Sequence, residues 1–200
     1  LVTAGVTRVV IATLDPDKRV AGRGVSILEK AGITVTSGCL EAEARRAMAG
    51  FLSLKGDGRP FLTLKLAVSA DGMIGRTSAG QVAITGATAR RAVQMMRIAH
   101  EAIMVGVGTI VADDPLLTVR LAGLELRSPT RVVIDPFART PPGAKLFDEA
   151  DIHSVLILVS EKAERRRIDA LRDRRAAIRT IASDYRGRFE PREVLRSLGV

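Results

Sequence analysis

The chain has 200 residues, of which 46% are hydrophobic and 26% are charged, a composition typical of ordinary globular proteins. Its longest uninterrupted apolar run, Val155–Val159, is far shorter than the roughly 20 residues of a membrane helix. The first residues carry no basic stretch leading into a secretory apolar segment. We therefore expect a cytoplasmic protein with no membrane segment. The formal net charge of +9 fits either nucleic acid or small phosphorylated ligands as partners.

The distribution of charged and aromatic residues favours the small ligands. Much of the excess positive charge lies between Lys162 and Arg175, where acidic residues are interleaved as on a solvated helix face. One tyrosine, five phenylalanines and no tryptophan leave few rings to stack on bases. The single cysteine, Cys39, and the distant His100 and His153 do not have the spacing of metal ligands. The sequence thus predicts no nucleic-acid partner and no metal site.

Short β-branched runs alternate with helical patterns along the chain, which is typical of an α/β fold with a largely parallel, buried sheet. Helices are expected over 25–30, over the amphipathic stretch 41–54, and from about Thr88, where apolar residues recur every three or four positions. The predicted strands are 8–13, 34–36, 61–68, 102–105, 131–134, 155–159 and 178–181.

The stretch 55–60 interrupts this alternation with two glycines and a proline, and we interpret it as a domain linker. Residues 1–54 are too few to bury an independent core. The chain opens directly before a strand, with Leu1 in place of a start methionine. We therefore expect residues 1–54 to be the closing part of a domain that begins upstream, and residues 61–200 to belong to a second domain.

The first segment that could carry chemistry is 64–72, a predicted strand that runs into an Asp-Gly turn. In a strand, Lys65 points to the opposite face from Leu64 and Leu66, and in a covered sheet that face is partly buried. A buried ammonium needs an anion or a solvated cleft, which would make Lys65 functional. The alternative is a lysine on an exposed edge strand, since most lysines are exposed.

The second segment is 102–120, in which a predicted buried strand enters a Gly-Val-Gly turn at 106–108 and continues to Asp-Asp-Pro. Two glycines let the backbone approach a ligand closely, and the next helical turn offers free N–H groups. Val111 stands where a dinucleotide fingerprint needs its third glycine, so the Rossmann motif is absent. Asp113 could position a cofactor or move protons, or it could belong to an Asp pair that ends the helix.

The third segment is 131–136, a predicted buried strand that ends in Asp-Pro. Ligands of open α/β sheets lie beyond the carboxyl ends of the strands, so the residues after three predicted strands are expected to converge. The residues themselves therefore predict a ligand site without specifying a reaction. The converging groups are Ser69 and Asp71, then Gly106, Gly108 and Asp113, then Asp135 and Pro136.

Together these segments resemble the reductase domain of the bifunctional riboflavin-biosynthesis deaminase/reductase family, which is similar in fold to dihydrofolate reductase. Residues 5–51 are similar to the end of the family's deaminase domain, and 58–61 to the junction. The resemblance implies a dihydrofolate-reductase-like, mostly parallel sheet with flanking helices, preceded by a partial α/β deaminase piece. In the reductase part, the resemblance lies in residues 64–72, 84–86, 89–91, Met96 with Arg97, and 105–120.

The resemblance implies reduction of 5-amino-6-(5-phosphoribosylamino)uracil by NADPH, with hydride delivered to the sugar carbon that bears nitrogen, so that the ribose opens to a ribityl chain. Lys65 and Asp113 are the hypothetical proton-handling pair, with positioning or structural roles as the alternative. The residues implied to line the NADPH site are Ala67, Ala83, Thr109, Asp113 and Pro136. Those implied to contact the phosphorylated pyrimidine are Gln81, Leu117, and, as planar donors for oxyanions, Arg97 and Arg120.

The chain departs from the family pattern in several places. The deaminase zinc motif of a histidine, a glutamate and two cysteines has no counterpart, so zinc would belong to a part of that domain outside this chain, and no deamination is expected. Ala83 stands where the family often has an aromatic residue, and Gln81 where some members have a serine. An acidic, glycine-rich segment that would contact NADPH phosphates is expected beyond residue 200, so the end of the reductase domain is expected to be missing.

Two other functions fit the same pattern. One is a different dihydrofolate-reductase-like enzyme acting on another pyrimidine or pterin, and the other is an inactive fragment of the bifunctional enzyme. Related reductases are often dimers, and Val155–Val159 could serve an interface as well as a core, so a homodimer is one expected state. NADH is the alternative to NADPH as the hydride donor.

Overall fold

A computed structural model describes residues 1–17, 19–20, 22–76 and 82–199. Two compact units are present, Leu1–Thr63 with Pro191–Val200, and Leu64–Glu190. None of the helices in the described ranges has the length and apolar character needed to cross a membrane. In chain order the elements are β1 (Arg8–Ile11), α1 (Arg23–Lys30), β2 (Thr34–Ser37), α2 (Glu41–Ala47), α3 (Ala49–Asp57), α4 (Ala87–Ile98), β3 (Ala102–Gly106), α5 (Val107–Asp113), β4 (Thr130–Ile134), β5 (Val155–Val159), α6 (Arg165–Arg172), β6 (Ala177–Thr180) and α7 (Pro191–Leu198), with short 3₁₀ helices at Glu125–Arg127 and Lys145–Phe147.

The first unit is built on a two-stranded parallel sheet. Strands β1 and β2 pair with Arg8 opposite Thr34, and α1 supplies the crossover that parallel strands require. Gly32, which follows α1, has φ of 80°, a left-handed conformation that glycine adopts without a steric penalty. Among the described residues of this unit, only Ile33 and Val194 are buried, so its hydrophobic core is small.

The second unit contains a four-stranded parallel sheet in the order β3-β4-β5-β6. Its central strands β4 and β5 are mainly apolar, as expected for parallel strands covered on both faces, with Arg131 as the charged exception. Val132, Val133 and Ile157 are completely buried. Ile110 of α5 and Leu171 of α6 pack into the same core. Most of the buried apolar surface of the described chain therefore lies in this unit.

The α/β fold with a parallel sheet and flanking helices is confirmed. The strands predicted at 8–13, 34–36, 102–105, 131–134, 155–159 and 178–181 all form, with ends shifted by no more than two residues. The helix expected from about Thr88 is α4, which begins at Ala87 after Gly86. Helix α3 extends to Asp57, inside the stretch 55–60 that we interpret as a linker, and Gly58 follows it with φ of 66°. The predicted division into one domain over residues 1–54 and another over residues 61–200 stays a prediction.

The strand predicted over 61–68 is wrong. In the described part of the chain, no strand pairs with this stretch, and Leu64 and Leu66 are 78% and 62% exposed. Lys65 is exposed as well, so it does not lie on a partly buried sheet face. The alternating side chains have the period of a strand, but an extended segment becomes a stable strand only when partners complete its ladder.

Candidate functional site

The carboxyl ends of the parallel strands lie at one edge of the sheet, and β3 ends there at Gly106. Gly106 and Gly108 are exposed, and a Cβ atom placed on either would meet no atom within 4 Å. The backbone at these glycines is therefore open to a ligand. Thr109 and Asp113 follow on α5 with exposed side chains. Within the described residues, the Asp113 carboxylate makes no hydrogen bond or ion pair.

The turn after β4 is shaped by the buried carboxylate of Asp135. Its Oδ2 accepts hydrogen bonds from the backbone N–H of Thr140 at 2.6 Å and from Thr140 Oγ1 at 2.7 Å. The carbonyl of Pro136 accepts from Ser160 Oγ at 2.7 Å and from the Ser160 N–H at 2.9 Å. Since that carbonyl is already engaged, the half-buried ring of Pro136 is the part open to a ligand.

The loop formed by residues 114–120 follows α5 and is held by side chains from other segments. Leu117, Thr118 and Val119 are 5%, 4% and 2% exposed, so the middle of the 114–120 loop is buried. Five hydrogen bonds with other segments of the described chain hold the loop in one conformation. The donors and acceptors are the Lys145 N–H to Asp114 Oδ1 (2.8 Å), Arg131 Nη1 to the Leu116 carbonyl (3.5 Å), Arg97 Nη1 to the Thr118 carbonyl, the Val119 N–H to Ser128 Oγ (2.8 Å), and the Arg120 N–H to Gln94 Oε1 (2.9 Å).

The structure brings Arg97 of α4 close to Arg120 at the end of this loop. Burial lowers the pKa of Arg97, and the nearby cation of Arg120 lowers that pKa further. Arg97 Nε is buried without a hydrogen-bond partner among the described atoms. No acidic side chain in the described structure pairs with either guanidinium. Two interacting cations with no carboxylate partner among the described residues form an arrangement that a bound anion would stabilise.

Leu117, which the resemblance places beside the substrate, has φ of 61° and a side chain that belongs to the hydrophobic core. Its side chain is therefore closed to a ligand, and only its backbone could contact one. The predicted contact between Leu117 and the substrate stays a prediction.

The segment of residues 64–76 carries the other predicted site residues. Lys65 is exposed, and no hydrogen bond or ion pair joins it to Asp113 among the described residues. Ala67 is half-buried. Ala83 lines a cavity of about 510 Å³ formed by residues from 68–76 and 82–84, a volume within the range of ligand pockets. Gln81 lies outside the described residues.

Ser69 and Asp71 lie in the predicted Asp-Gly turn, although the strand expected before it does not form. Ser69 Oγ donates a hydrogen bond to Asp71 Oδ1, and this bond lowers the pKa of Asp71. The Ser69 N–H donates to the Met73 carbonyl at 2.8 Å, and Gly72 between them has φ of 82°. Both side chains line the 510 Å³ cavity with Ala83.

Gln94 and Asp114 are two of the polar residues around the 114–120 loop that were not predicted as part of the site. Gln94 lies three residues before Arg97 and therefore on the same face of α4, a spacing from which its role could have been inferred. Asp114 has φ of 41° at the end of α5, and its carboxylate also forms an ion pair with Lys145 Nζ at 3.5 Å. No sequence signal indicated that partner. Nowhere in the described ranges do three or more His, Cys, Asp or Glu residues form a group able to hold a metal ion.

The chain is similar over most of its length to riboflavin-biosynthesis proteins. The family described as RibD C-terminal domain matches residues 60–200. The riboflavin biosynthesis protein RibD of Aquifex aeolicus is 36% identical over 167 residues, which cover 82% of this chain and 47% of that protein. RibD of Escherichia coli is 39% identical over 160 residues, covering 74% of this chain and 44% of the relative.

Solved structures of riboflavin-biosynthesis proteins are also similar to this chain. RibD of Acinetobacter baumannii superposes with a TM-score of 0.80 at 33% identity, over 98% of this chain and 52% of that one. A Thermotoga maritima protein, described as a diaminohydroxyphosphoribosylaminopyrimidine deaminase/5-amino-6-(5-phosphoribosylamino)uracil reductase, superposes with a TM-score of 0.79 at 31% identity, over 99% of this chain and 52% of its own. The chain thus spans about half the length of these relatives. The resemblance is confirmed, and the chain belongs to the RibD C-terminal domain family.

Proposed function

We propose that the protein carrying these 200 residues reduces 5-amino-6-(5-phosphoribosylamino)uracil to its ribitylamino product with NADPH. Family membership supports a reductase, and the Thermotoga maritima relative is described as a 5-amino-6-(5-phosphoribosylamino)uracil reductase. The structural observation that carries the proposal is the pair of guanidiniums of Arg97 and Arg120, which has no acidic partner in the described residues. An enzyme that acts on a phosphorylated sugar needs a cationic site for the phosphate.

Arg97 and Arg120 are suited to bind the substrate's anionic group. A guanidinium presents several donors in one plane and stays charged at neutral pH, so it matches phosphate and other oxyanions. One Arg97 donor, Nη1, holds the Thr118 carbonyl, which orients the group while Nε stays without a partner in the described structure. Binding an anion between the two side chains would also relieve the repulsion between their charges.

The residues at the carboxyl edge of the sheet fit NADPH. The open backbone at Gly106 and Gly108 allows close approach, and Thr109 and Asp113 are exposed beside it. These two side chains, together with Pro136, Ala67 and Ala83, are the groups that we propose to hold the cofactor. When bound, NADPH would supply the hydride, and the protein would supply position and electrostatics.

The departing ring oxygen of the sugar takes up a proton, and Lys65 and Asp113 are the proposed proton-handling pair, with the Lys65 ammonium as the donor and the Asp113 carboxylate as an acceptor. Asp113 qualifies because its carboxylate is exposed and unpaired within the described structure, immediately before the 114–120 loop. Lys65 lies on an exposed segment and has no bond to Asp113. Proton transfer between the two would therefore pass through the bound substrate or a bridging water.

Loss of NADPH absorbance with the uracil substrate tests the proposal directly. We expect turnover by the wild-type protein and at least a hundredfold loss of kcat/KM in Arg97→Ala, on the order of what loss of a buried, charge-assisted contact costs. NADH, another phosphorylated pyrimidine and a pterin are compared in parallel. Turnover of a pterin in place of the uracil substrate would favour the alternative reductase, and no turnover of any substrate would favour the inactive fragment.

Several further properties are proposed with this function. The partner is a phosphorylated pyrimidine and not a nucleic acid, the location is the cytoplasm, and the division at 55–60 separates a deaminase-like part from the reductase. Any zinc would lie in a deaminase part that precedes these residues. A homodimer stays a prediction, which light scattering of the purified protein measures.

A further inference from the structure

Gln94 lies on α4 and is half-buried, and its side-chain amide oxygen accepts the backbone N–H of Arg120 at 2.9 Å. The two residues are 26 positions apart, so this bond connects a helix to the far end of the 114–120 loop. One helical turn further along the same face, Arg97 Nη1 donates to the Thr118 carbonyl. Two neighbouring side chains of α4 thus hold backbone groups two residues apart in the loop.

The bond from Gln94 acts on a part of the loop that no other hydrogen bond among the described residues fixes. Leu117 to Val119 are buried, and the Val119 N–H is bound separately by Ser128 Oγ at 2.8 Å. Arg120 is exposed and follows them directly. Loss of the Gln94 amide oxygen would therefore free the backbone of Arg120 while the buried residues before it keep the loop folded.

We infer that Gln94 is a positioning residue for substrate binding, which holds Arg120 so that its guanidinium and that of Arg97 face the same anion. The inference rests on the proposed function, because Arg120 is taken there as a substrate contact. Gln94 suits this role because its amide oxygen accepts the Arg120 N–H and adds no charge. A carboxylate at the same place would compete with the anion for the two arginines.

A double-mutant cycle of Gln94→Met and Arg120→Ala on the reductase activity tests the inference. Methionine keeps the length and helix propensity of glutamine but has only a weak acceptor. We expect Gln94→Met to raise the KM for the uracil substrate roughly twofold to tenfold, the equivalent of one backbone hydrogen bond. The kcat and the KM for NADPH should stay within about twofold, an expectation that again follows from the loss of a single bond at the substrate.

In the Arg120→Ala background, Gln94→Met should have no further effect on the substrate KM, because the group that Gln94 orients is gone. An additive effect in the double variant, or an equal rise in both KM values, would overturn the inference. Gln94→Ala also removes the acceptor and should give the same cycle. If Gln94→Met unfolds the protein, as thermal unfolding would show, the Gln94→Ala cycle decides.

Met95→Gln is the matched control, since it places the same amide one position away on an exposed side chain. It should leave both KM values unchanged. Failure of the proposed function gives a distinct result, because the wild-type protein would then not turn over the uracil substrate at all. Turnover by the wild-type protein with additive variants would overturn the Gln94 inference alone.

Discussion

The 114–120 loop and the 64–76 segment both carry candidate site residues, but they are built in opposite ways. The loop is fixed by side chains from several other segments and its middle is buried. The 64–76 segment pairs with no strand in the described structure, and Leu64, Leu66 and Ile74 are more than half exposed. The side chain of Arg97 and the backbone of Arg120 are thus anchored, while Lys65 and Ala67 lie on a segment with little tertiary support.

This difference corresponds to two roles in the proposed reductase, recognition of the substrate by the loop and adaptation to a bound ligand by the 64–76 segment. Recognition of a charged substrate requires donors in fixed positions, because each misplaced donor loses binding energy. A segment with few buried contacts has low local stability and can adapt when a ligand binds. We expect substitutions around the loop to change stability or substrate KM, and substitutions in the 64–76 segment to leave stability almost unchanged.

The largest expected effect comes from the sheet on which the loop rests. Ile157→Ala in β5 removes a fully buried side chain and should lower the free energy of unfolding by about 3 to 4 kcal/mol, through lost burial and the cavity left behind. Chemical denaturation measures this value. Ile27→Ala on α1, where the side chain is 62% exposed, is the control. A loss below about 1 kcal/mol would contradict the burial described for β5.

The next largest effect on stability is expected from Arg131→Met. The Arg131 side chain is fully buried and donates to the carbonyls of Leu116, Glu149 and His153. Methionine leaves the Leu116 and His153 carbonyls without their donor, while the Glu149 carbonyl keeps the backbone N–H groups of Ile152 and His153, so we expect a loss of about 2 kcal/mol in unfolding free energy. Denaturation and substrate KM are measured together, with the exposed Arg166→Met as control. An unchanged or increased stability would show that burial of this charge costs as much as its hydrogen bonds contribute.

Substitutions of the adjacent Asp113 and Asp114 should differ in their effects on stability and turnover. Asp114→Ala removes the acceptor for the Lys145 N–H and should cost about 1 kcal/mol of stability. Asp113→Asn should leave stability unchanged, since Asp113 has no partner in the described structure, but it should lower kcat. If Asp113→Asn keeps full turnover while Arg97→Ala abolishes it, Asp113 does not handle the proton.

The smallest effect is expected in the 64–76 segment. Leu66→Ser changes a side chain that is 62% exposed, so the free energy of unfolding should shift by less than about 0.5 kcal/mol. Hydrogen exchange of the free protein should show rapid exchange at residues 64–68 and slow exchange at Val119 and Arg120. Slow exchange throughout 64–68 would mean that this segment has a stable partner.

Much of the fold could be predicted from local patterns. β5 is a continuous apolar run and β4 is apolar from Val132 to Ile134, and such runs indicate buried parallel strands because both faces of the sheet are covered. The apolar spacing of α4 marked that helix. Residues 61–68 show the limit of this reasoning. Their alternation has the period of a strand, but pairing depends on distant residues that local sequence does not reveal.

The site could be predicted only in part, for the same reason. The family resemblance indicated Arg97 and Arg120, and the structure places them close together. The contacts that hold the 114–120 loop join residues up to 31 positions apart, as between Asp114 and Lys145, and no local pattern contains them. Asp135 was grouped with the ligand site, yet its Oδ2 is bound to Thr140 in the turn after β4.

The central claim is hydride transfer from NADPH to the sugar carbon, and isotope transfer tests it most directly. The protein is incubated with 5-amino-6-(5-phosphoribosylamino)uracil and with NADPH that carries deuterium at the transferable position, and the product is examined by mass spectrometry and NMR. The account predicts a ribitylamino product with deuterium on the carbon that bears nitrogen. Consumption of NADPH without deuterium at that carbon would contradict it.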